Sequence, residues 1–476
     1  SKTELHLTGR TEHDQKYFGS LNNIKFLNKK VEFKKQHFSA KNHLVAFASR
    51  HERPSMPELN LLAILLVVAL IVLWKLDFLA TLLTLKNLKP ELPEEFRGVW
   101  DDEKYLKSQS YEKAQAQFGV VSSISSLTIL LAFWFFGGFG WVDGLVGELG
   151  YGKIGTGLSF IGLVYLGFWL SSLPFDLYHT FVLEERFGFN KTTAKTYIID
   201  QIKSHFLTAI LGGGIVALIL WIFDSVPNAW VWAWLSFTAI SLALTYLAPS
   251  FLLPLFNKFT PLEDQELNEA IQSMAVKCEF PLTEISVMDG SRRSSKSNAF
   301  FTGFGKRKKI ALFDTLIESQ TTDELVGVLA HEIGHFKRKH IVQRLVISII
   351  QTALIFFLLG MATNPESSLG SQLYAAFGIS AESNGSIAAG LVLFMIVFKP
   401  VSRSLSVVMN MLSRKHEFEA DEYAASNQGT PNHLISALKK LSANNLSNLT
   451  PHPLEVFLDH SHPPVLVRIQ ALKKLG

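Results

Sequence analysis

The chain has 476 residues, is 48% hydrophobic and only 18% charged, and carries a formal net charge of +4. Soluble proteins run nearer 25% charged, so this composition argues against an ordinary soluble enzyme, and the small, dispersed positive charge lacks the clustered Lys/Arg with interleaved aromatics of a nucleic-acid binder. One cysteine, Cys278, excludes an internal disulfide and a Cys-rich zinc module, so any metal must be held by histidines and carboxylates.

Residues 1–55 come first. They are polar and basic, with no apolar run ahead of a small-residue cleavage site, and so do not resemble a signal peptide. They read as a disordered leader outside the working fold. Seven apolar segments follow, each judged against the ~20 residues a membrane-crossing helix needs. They are Leu59–Trp74, continuing past Lys75 and Asp77; Phe118–Trp141; Ile154–Pro174; Phe206–Phe223; Val226–Phe256; Leu345–Ala362; and a weaker one, Ile387–Phe398, followed by Lys399, Pro400 and Arg403. The 37 phenylalanines and 9 tryptophans suit lipid contact and interfacial belts. A transporter would carry ionisable residues inside these segments, yet six of the runs are clean.

Lysine and arginine alternate from loop to loop. The loops after segments one, three and five carry many; the loop after segment two has Lys153, and those after four and six have none. By the positive-inside rule the rich loops and the C-terminal tail face the cytoplasm. The N-terminus would then lie outside, which conflicts with a basic leader. Cys278 shares the reducing side as a free thiol.

The largest of these loops holds "TTDELVGVLAHEIGHFKRKH". Thr321 and Glu324 have capping-box spacing, and Leu325, Val328, Leu329 and Ile333 recur at helical intervals. His331 and His335 are four apart and so share a helical face. Glu332 is turned about 100° from His331, beside a metal and not bound to it. A catalytic zinc uses three protein ligands and an open position, with a nearby carboxylate as proton acceptor. Two histidines at this spacing also suit a plain amphipathic helix, so a third ligand is required. "SRKHEFEADEYA" supplies one. Glu417 can complete a His2Glu set, and Asp421, on the same face, can accept an imidazole N–H from behind. Glu419 and Glu422 point elsewhere on the wheel, toward solvent.

Between segment five and this helix, Ile285–Met288, Ala299–Phe304 and Lys309–Phe313 read as strands with an edge open to an extended peptide. Near the end, "DHSHPPVLVRIQALKKLG" offers His460, His462 and Arg468 as donors to an oxyanion. His462 before two prolines equally suits a helix start.

Together these motifs resemble the type I CAAX prenyl proteases and the related HtpX-like membrane proteases. "HEIGH" and "EFEAD" carry the wider resemblance. "YLKSQSYEKAQAQF", "TFVLEERFGFNKTT", "LAPSFLLPLFNKFTPL", "SNAFFTGFGKRKKIALFDTLIE" and "SHPPVLVRIQAL" resemble the CAAX branch, and the likeness spans nearly everything after Met56. The resemblance implies a mainly α integral-membrane fold, with seven transmembrane helices enclosing a chamber and a cytoplasmic HExxH domain containing a small β-sheet. It implies one Zn²⁺ per chain on His331, His335 and Glu417, Glu332 as catalytic base, and Asn298, His462 and Arg468 near the substrate. The expected partners are membrane lipids and a peptide or protein substrate, lipidated or otherwise membrane-associated, but no nucleic acid. The expected reaction is cleavage near the C-terminus of CAAX-type proteins, with HtpX-like quality control as the alternative. The membrane would be the endoplasmic reticulum in a eukaryote and the inner membrane in a bacterium. Lys296 stands where eukaryotic relatives usually have histidine. The expected parts are a leader (1–55), segments one to five (56–257), a catalytic domain (258–344), segments six and seven (345–412) and a C-terminal part with the third ligand (413–476).

Overall fold

The computed structural model describes residues 56–302, 308–383 and 385–476, with the side chains of 300–302 left aside; the basic leader lies outside the described residues. Seven of the described helices are long and apolar enough to cross a membrane, with mean hydropathies from 1.6 to 2.6. At most 17% of the most apolar stretch of any of them is buried within the protein. Ile64, Leu65, Val68 and Val72 are exposed large apolar side chains on the first. Such a surface would drive aggregation in water and is at home in hydrocarbon.

The helices run in order as α1 (Leu61–Asn87), α2 (Asp102–Phe135), the short α3 (Gly138–Gly147), α4 (Gly152–Phe187), α5 (Ala194–Ser225) and α6 (Ala229–Phe256). Two expected boundaries differ. The apolar run Phe118–Trp141 is not one helix: Gly137 adopts φ +74° and ends α2, and α3 turns away to pack. Trp134 stacks on Phe377 at 4.2 Å, with Phe139 edge-on to the same ring at 5.4 Å.

Next comes the part outside the membrane spans: β1 (Phe259–Pro261), α7 (Gln265–Lys277), β2 (Leu282–Met288), β3 (Ala299–Thr302), β4 (Lys308–Phe313), α8 (Asp314–Ser319) and α9 (Thr322–Lys337). The sheet order is β1-β2-β4-β3, with β2 and β4 parallel and the outer pairs antiparallel. Strand β1 was not foreseen, because three residues beginning Phe-Thr-Pro carry no alternating pattern. Strand β3 lies at a sheet edge, pairing Ala299 with Leu312 on one side only.

The chain then re-enters the membrane as α10 (His340–Thr363), makes α11 (Ser368–Phe377), and continues as α12 (Ser386–Gln428), followed by α13 (Asn432–Asn444), α14 (Pro453–Asp459) and α15 (Val465–Lys473). Helix α12 is the second difference. Its 43 residues run straight through the boundary expected at 412/413, with Pro400 inside it. One rod therefore carries both the seventh span and the acidic motif.

One apolar core joins these parts. Leu325, Leu329 and Ile333 of α9 pack with Ile310 and Leu312 of β4, Leu267 and Ile271 of α7, and Ile469 of α15. Phe96 and Trp100, from the region between the first two spans, and Tyr105, near the start of α2, belong to the same core. The expected capping box is present: Thr321 Oγ1 accepts from the Glu324 N–H, and the Glu324 side chain accepts from Thr321 N–H. Glu324 also accepts from Ser436 at 2.5 Å and Lys440 at 2.7 Å, tying α9 to α13.

Burial alone would raise the Glu324 pKa, but its bonds to Lys440, Ser436 and the Thr321 amide hold it below the ordinary 4.5. A carboxylate with a depressed folded pKa stabilises above its unfolded value and loses that contribution as pH falls through the folded one. Glu324→Gln is therefore expected to lose about 1–2 kcal/mol at neutral pH. The gap from wild type in thermal unfolding midpoint should close as pH drops below 4.5.

Candidate active site

Helices α9 and α12 cross with little between them. A Cβ on Gly334 would meet Ala420 Cα at 3.0 Å and its carbonyl oxygen at 3.1 Å. Seven residues earlier on the same face, a Cβ on Gly327 would lie 2.9 Å from Gln428 Oε1. The two glycines form a smooth seam that lets the α12 backbone settle against α9. Glu417, one turn before the crossing residue Ala420, is thereby carried to the histidine face.

His331 Nε2 and His335 Nε2 are 3.2 Å apart. Glu417 Oε2 is 3.4 Å from the former, and its Oε1 is 3.3 Å from the latter. One ligand atom from each of the three residues falls within 4.8 Å of the others. Glu417 Oε2 is buried and makes no well-formed hydrogen bond, although Arg468 lies 3.3 Å away as an ion-pair partner. A buried carboxylate oxygen short of a hydrogen-bond donor still has capacity to take a cation. Burial works against charge on His331, yet its bonds to Asp421 and Glu417 push its pKa up to about 9. The pocket favours positive charge, and a donor set of two imidazole nitrogens and a carboxylate fits a divalent metal.

Each imidazole is held from behind by a different device. With both Nε2 atoms at the common point, each Nδ1 carries the proton. His331 Nδ1–H donates to Asp421 Oδ1 at 2.8 Å. Asp421 is in turn gripped by Arg468, Nε to Oδ2 at 2.9 Å and a terminal nitrogen to Oδ1 at 2.6 Å. Another Arg468 nitrogen reaches Glu417 Oε2 at 3.3 Å. His335 Nδ1–H donates to His340 Nδ1 at 3.0 Å, and His340 Nε2–H donates to Glu419 Oε2 at 2.8 Å. His340 is 1% exposed and stacks on His416 at 3.9 Å.

Sequence reasoning missed His340, and Glu419 is a correction. It is not merely solvated but anchors this relay, although Glu422 does pair with exposed Arg338 at 3.4 Å. The missed signal was Lys339, whose left-handed φ of 60° turns the chain between α9 and α10 and brings His340 back to His335. Helical periodicity carries no information across such a break.

Of the remaining predicted residues, Glu332 and His462 adjoin this group and Asn298 does not. Glu332 is half-buried beside His331. His462 Nε2 lies 3.4 Å from Glu417 Oε1, on a side chain 64% exposed. Asn298 is exposed just before edge strand β3, where its Oδ1 accepts from the Ala299 N–H, and it has no described contact with the three converging residues. Lys296 is well used: it donates to Glu184 at 2.8 Å and Tyr111 at 2.9 Å, and lies 4.5 Å over the Phe189 ring. It thus ties the approach to β3 to α2 and α4.

Comparisons with known proteins agree with this geometry. Residues 261–476 match the family model of peptidase family M48, and residues 81–258 match that of the CAAX prenyl protease N-terminal region, five membrane helices. The Saccharomyces cerevisiae CAAX prenyl protease 1 is 38% identical over 412 residues, covering 81% of this chain and 89% of that one. The Homo sapiens CAAX prenyl protease 1 homolog is 34% identical over 429 residues, covering 81% and 89%.

The chain belongs to the CAAX prenyl protease 1 family of M48 peptidases.

The crystal structure of S. mikatae Ste24p superposes with a TM-score of 0.81 at 35% identity, covering 87% of this chain and all of that one. The chain is thus a multi-pass membrane metallopeptidase, and the expected family, enzyme class and mainly α fold with seven membrane-capable helices and a small sheet are borne out.

Two substitutions test how the site is assembled. Gly334→Ala forces a methyl group into the α12 backbone. We expect about 1–3 kcal/mol of lost stability, with a fall in metal bound per chain measured by elemental analysis. His340→Ala should leave the fold intact yet weaken metal retention about 10- to 100-fold against a chelator.

Proposed function

We propose that the chain is a zinc endopeptidase that cuts prenylated CAAX proteins near their C-terminus while they remain anchored in the membrane. The convergence of His331 Nε2, His335 Nε2 and the Glu417 carboxylate carries this reading. The names of the relatives support the substrate class. The match to a five-helix CAAX N-terminal region supports it over HtpX-like quality control. The alternation of basic and bare loops supports a site facing the cytoplasm, in the endoplasmic reticulum of a eukaryote or the inner membrane of a bacterium.

His331, His335 and Glu417 would hold one Zn²⁺, which when bound supplies Lewis acidity to activate water and polarise a carbonyl. The chain's own residues do the rest. Glu332 accepts no hydrogen bond from a described residue, so its carboxylate is available to take the proton of the attacking water and return it to the leaving amine. Ser461 Oγ lies 2.9 Å from His462 Nδ1. A hydroxyl donating there leaves the ring proton on Nε2, toward the site. Partial desolvation and the charges of Arg468, His331 and Arg344 outweigh Glu417 and lower the His462 pKa. A neutral imidazole then donates to the developing oxyanion.

Arg468 is best read as a positioning residue. Its guanidinium is buried and engaged with Asp421 and Glu417, so it acts through them. The substrate adds along the exposed edge of β3, where the Asn298 amide N–H group can donate to its backbone. A lipid anchor stays with the apolar spans while the peptide reaches the metal.

The decisive measurement is mass spectrometry of products from a membrane-tethered prenylated CAAX peptide, with and without a chelator. His335→Ala should lose both metal and cleavage. Glu332→Gln should keep one zinc per chain yet cleave roughly 10²- to 10⁴-fold more slowly. Native-rate cleavage by that variant would remove Glu332 from the mechanism.

A further inference from the structure

Arg344 has no role in the chemistry above. It lies one helical turn after His340 on α10, on the exposed side of the chain, and donates to Ser413 Oγ at 2.7 Å. Ser413 is one turn before Glu417 on α12. The guanidinium therefore sits about one helical pitch, roughly 5.4 Å, along α12 from the metal-binding carboxylate. It is exposed and lies within electrostatic reach of His340, His416 and His462.

Its bonding differs from that of the arginines that hold carboxylates. Arg293 holds Asp200, Arg403 holds Asp77 and Asp459, and Arg468 holds Asp421. Arg344 has no carboxylate partner among the described residues; its one hydrogen bond goes to a hydroxyl. A guanidinium beside a divalent cation is repelled by it, so Arg344 does not help to hold a metal. An anion arriving with the substrate suits it, and the planar fork matches a carboxylate.

A CAAX tail brings such an anion, because it ends in a free α-carboxylate three residues beyond the cysteine. Three extended residues span roughly 10 Å. A peptide whose bond after the cysteine lies at the metal group would present its carboxylate one to two helical pitches away, within reach of a long arginine side chain. We propose that Arg344 binds the C-terminal carboxylate of the substrate and so directs cleavage to the ends of chains. This rests on the CAAX reading above and names how that substrate is recognised.

The test compares a prenylated CAAX peptide with its C-terminal carboxamide, using the full-length protein in neutral phosphatidylcholine vesicles. Wild type should favour the free acid by roughly 10- to 100-fold in kcat/KM, the range of a hydrogen bond to a charged group. Arg344→Gln should bring that ratio near one with metal still bound, and Arg344→Lys should keep part of it. A wild-type ratio near one overturns the proposal. So does an undiminished ratio in either Arg344→Gln or, should that variant not retain metal, a ratio in Arg344→Lys equal to wild type. A wild type that cuts neither peptide overturns the CAAX reading itself.

Discussion

The near-contact of α9 and α12 is the constraint on which the site depends. Two imidazoles four residues apart on a helix are common and inert by themselves. They become a metal pocket only where a carboxylate is delivered opposite them, and here that carboxylate, Glu417, lies more than eighty residues further along the chain. Gly334 against Ala420 leaves room for two helix backbones to meet without an intervening side chain. Glu417 then arrives with 2% of its side chain exposed, too deep to be solvated and too close to both imidazoles to be elsewhere.

A cluster of buried charge must be balanced or it destabilises the fold. The balance here is graded outward. Glu417 and Asp421 face His331, Arg468 bridges both acids, and Glu419 answers His340. The two histidines are oriented by unlike partners, a carboxylate behind one and a second imidazole behind the other. One helical motif is thus oriented by two different devices.

The membrane is not merely a support for this site. Helix α12 crosses it and then supplies Glu417, and α10 leaves the site at His340 and enters it. Lys296 joins the approach to the edge strand to Glu184 and Tyr111 of two further span-bearing helices. A shift of these helices in lipid therefore moves the Glu417 carboxylate or the approach to edge strand β3 directly. That coupling suits a substrate whose own anchor lies in the same bilayer.

The seven apolar segments, the capped α9, three of the four strands and the trio His331, His335 and Glu417 were all legible in the sequence. Each is written in local periodicity or in the chemistry of a ligand set, which depend on neighbours three or four residues away. Tertiary structure alone decided the rest. The break at Gly137, the continuity of α12 through Pro400, and the return of His340 across Lys339 each turn on backbone dihedrals that residue type permits but does not dictate. Glu419 looked like an ordinary surface charge on a helical wheel, because a wheel has no information about which other helix will lie against it.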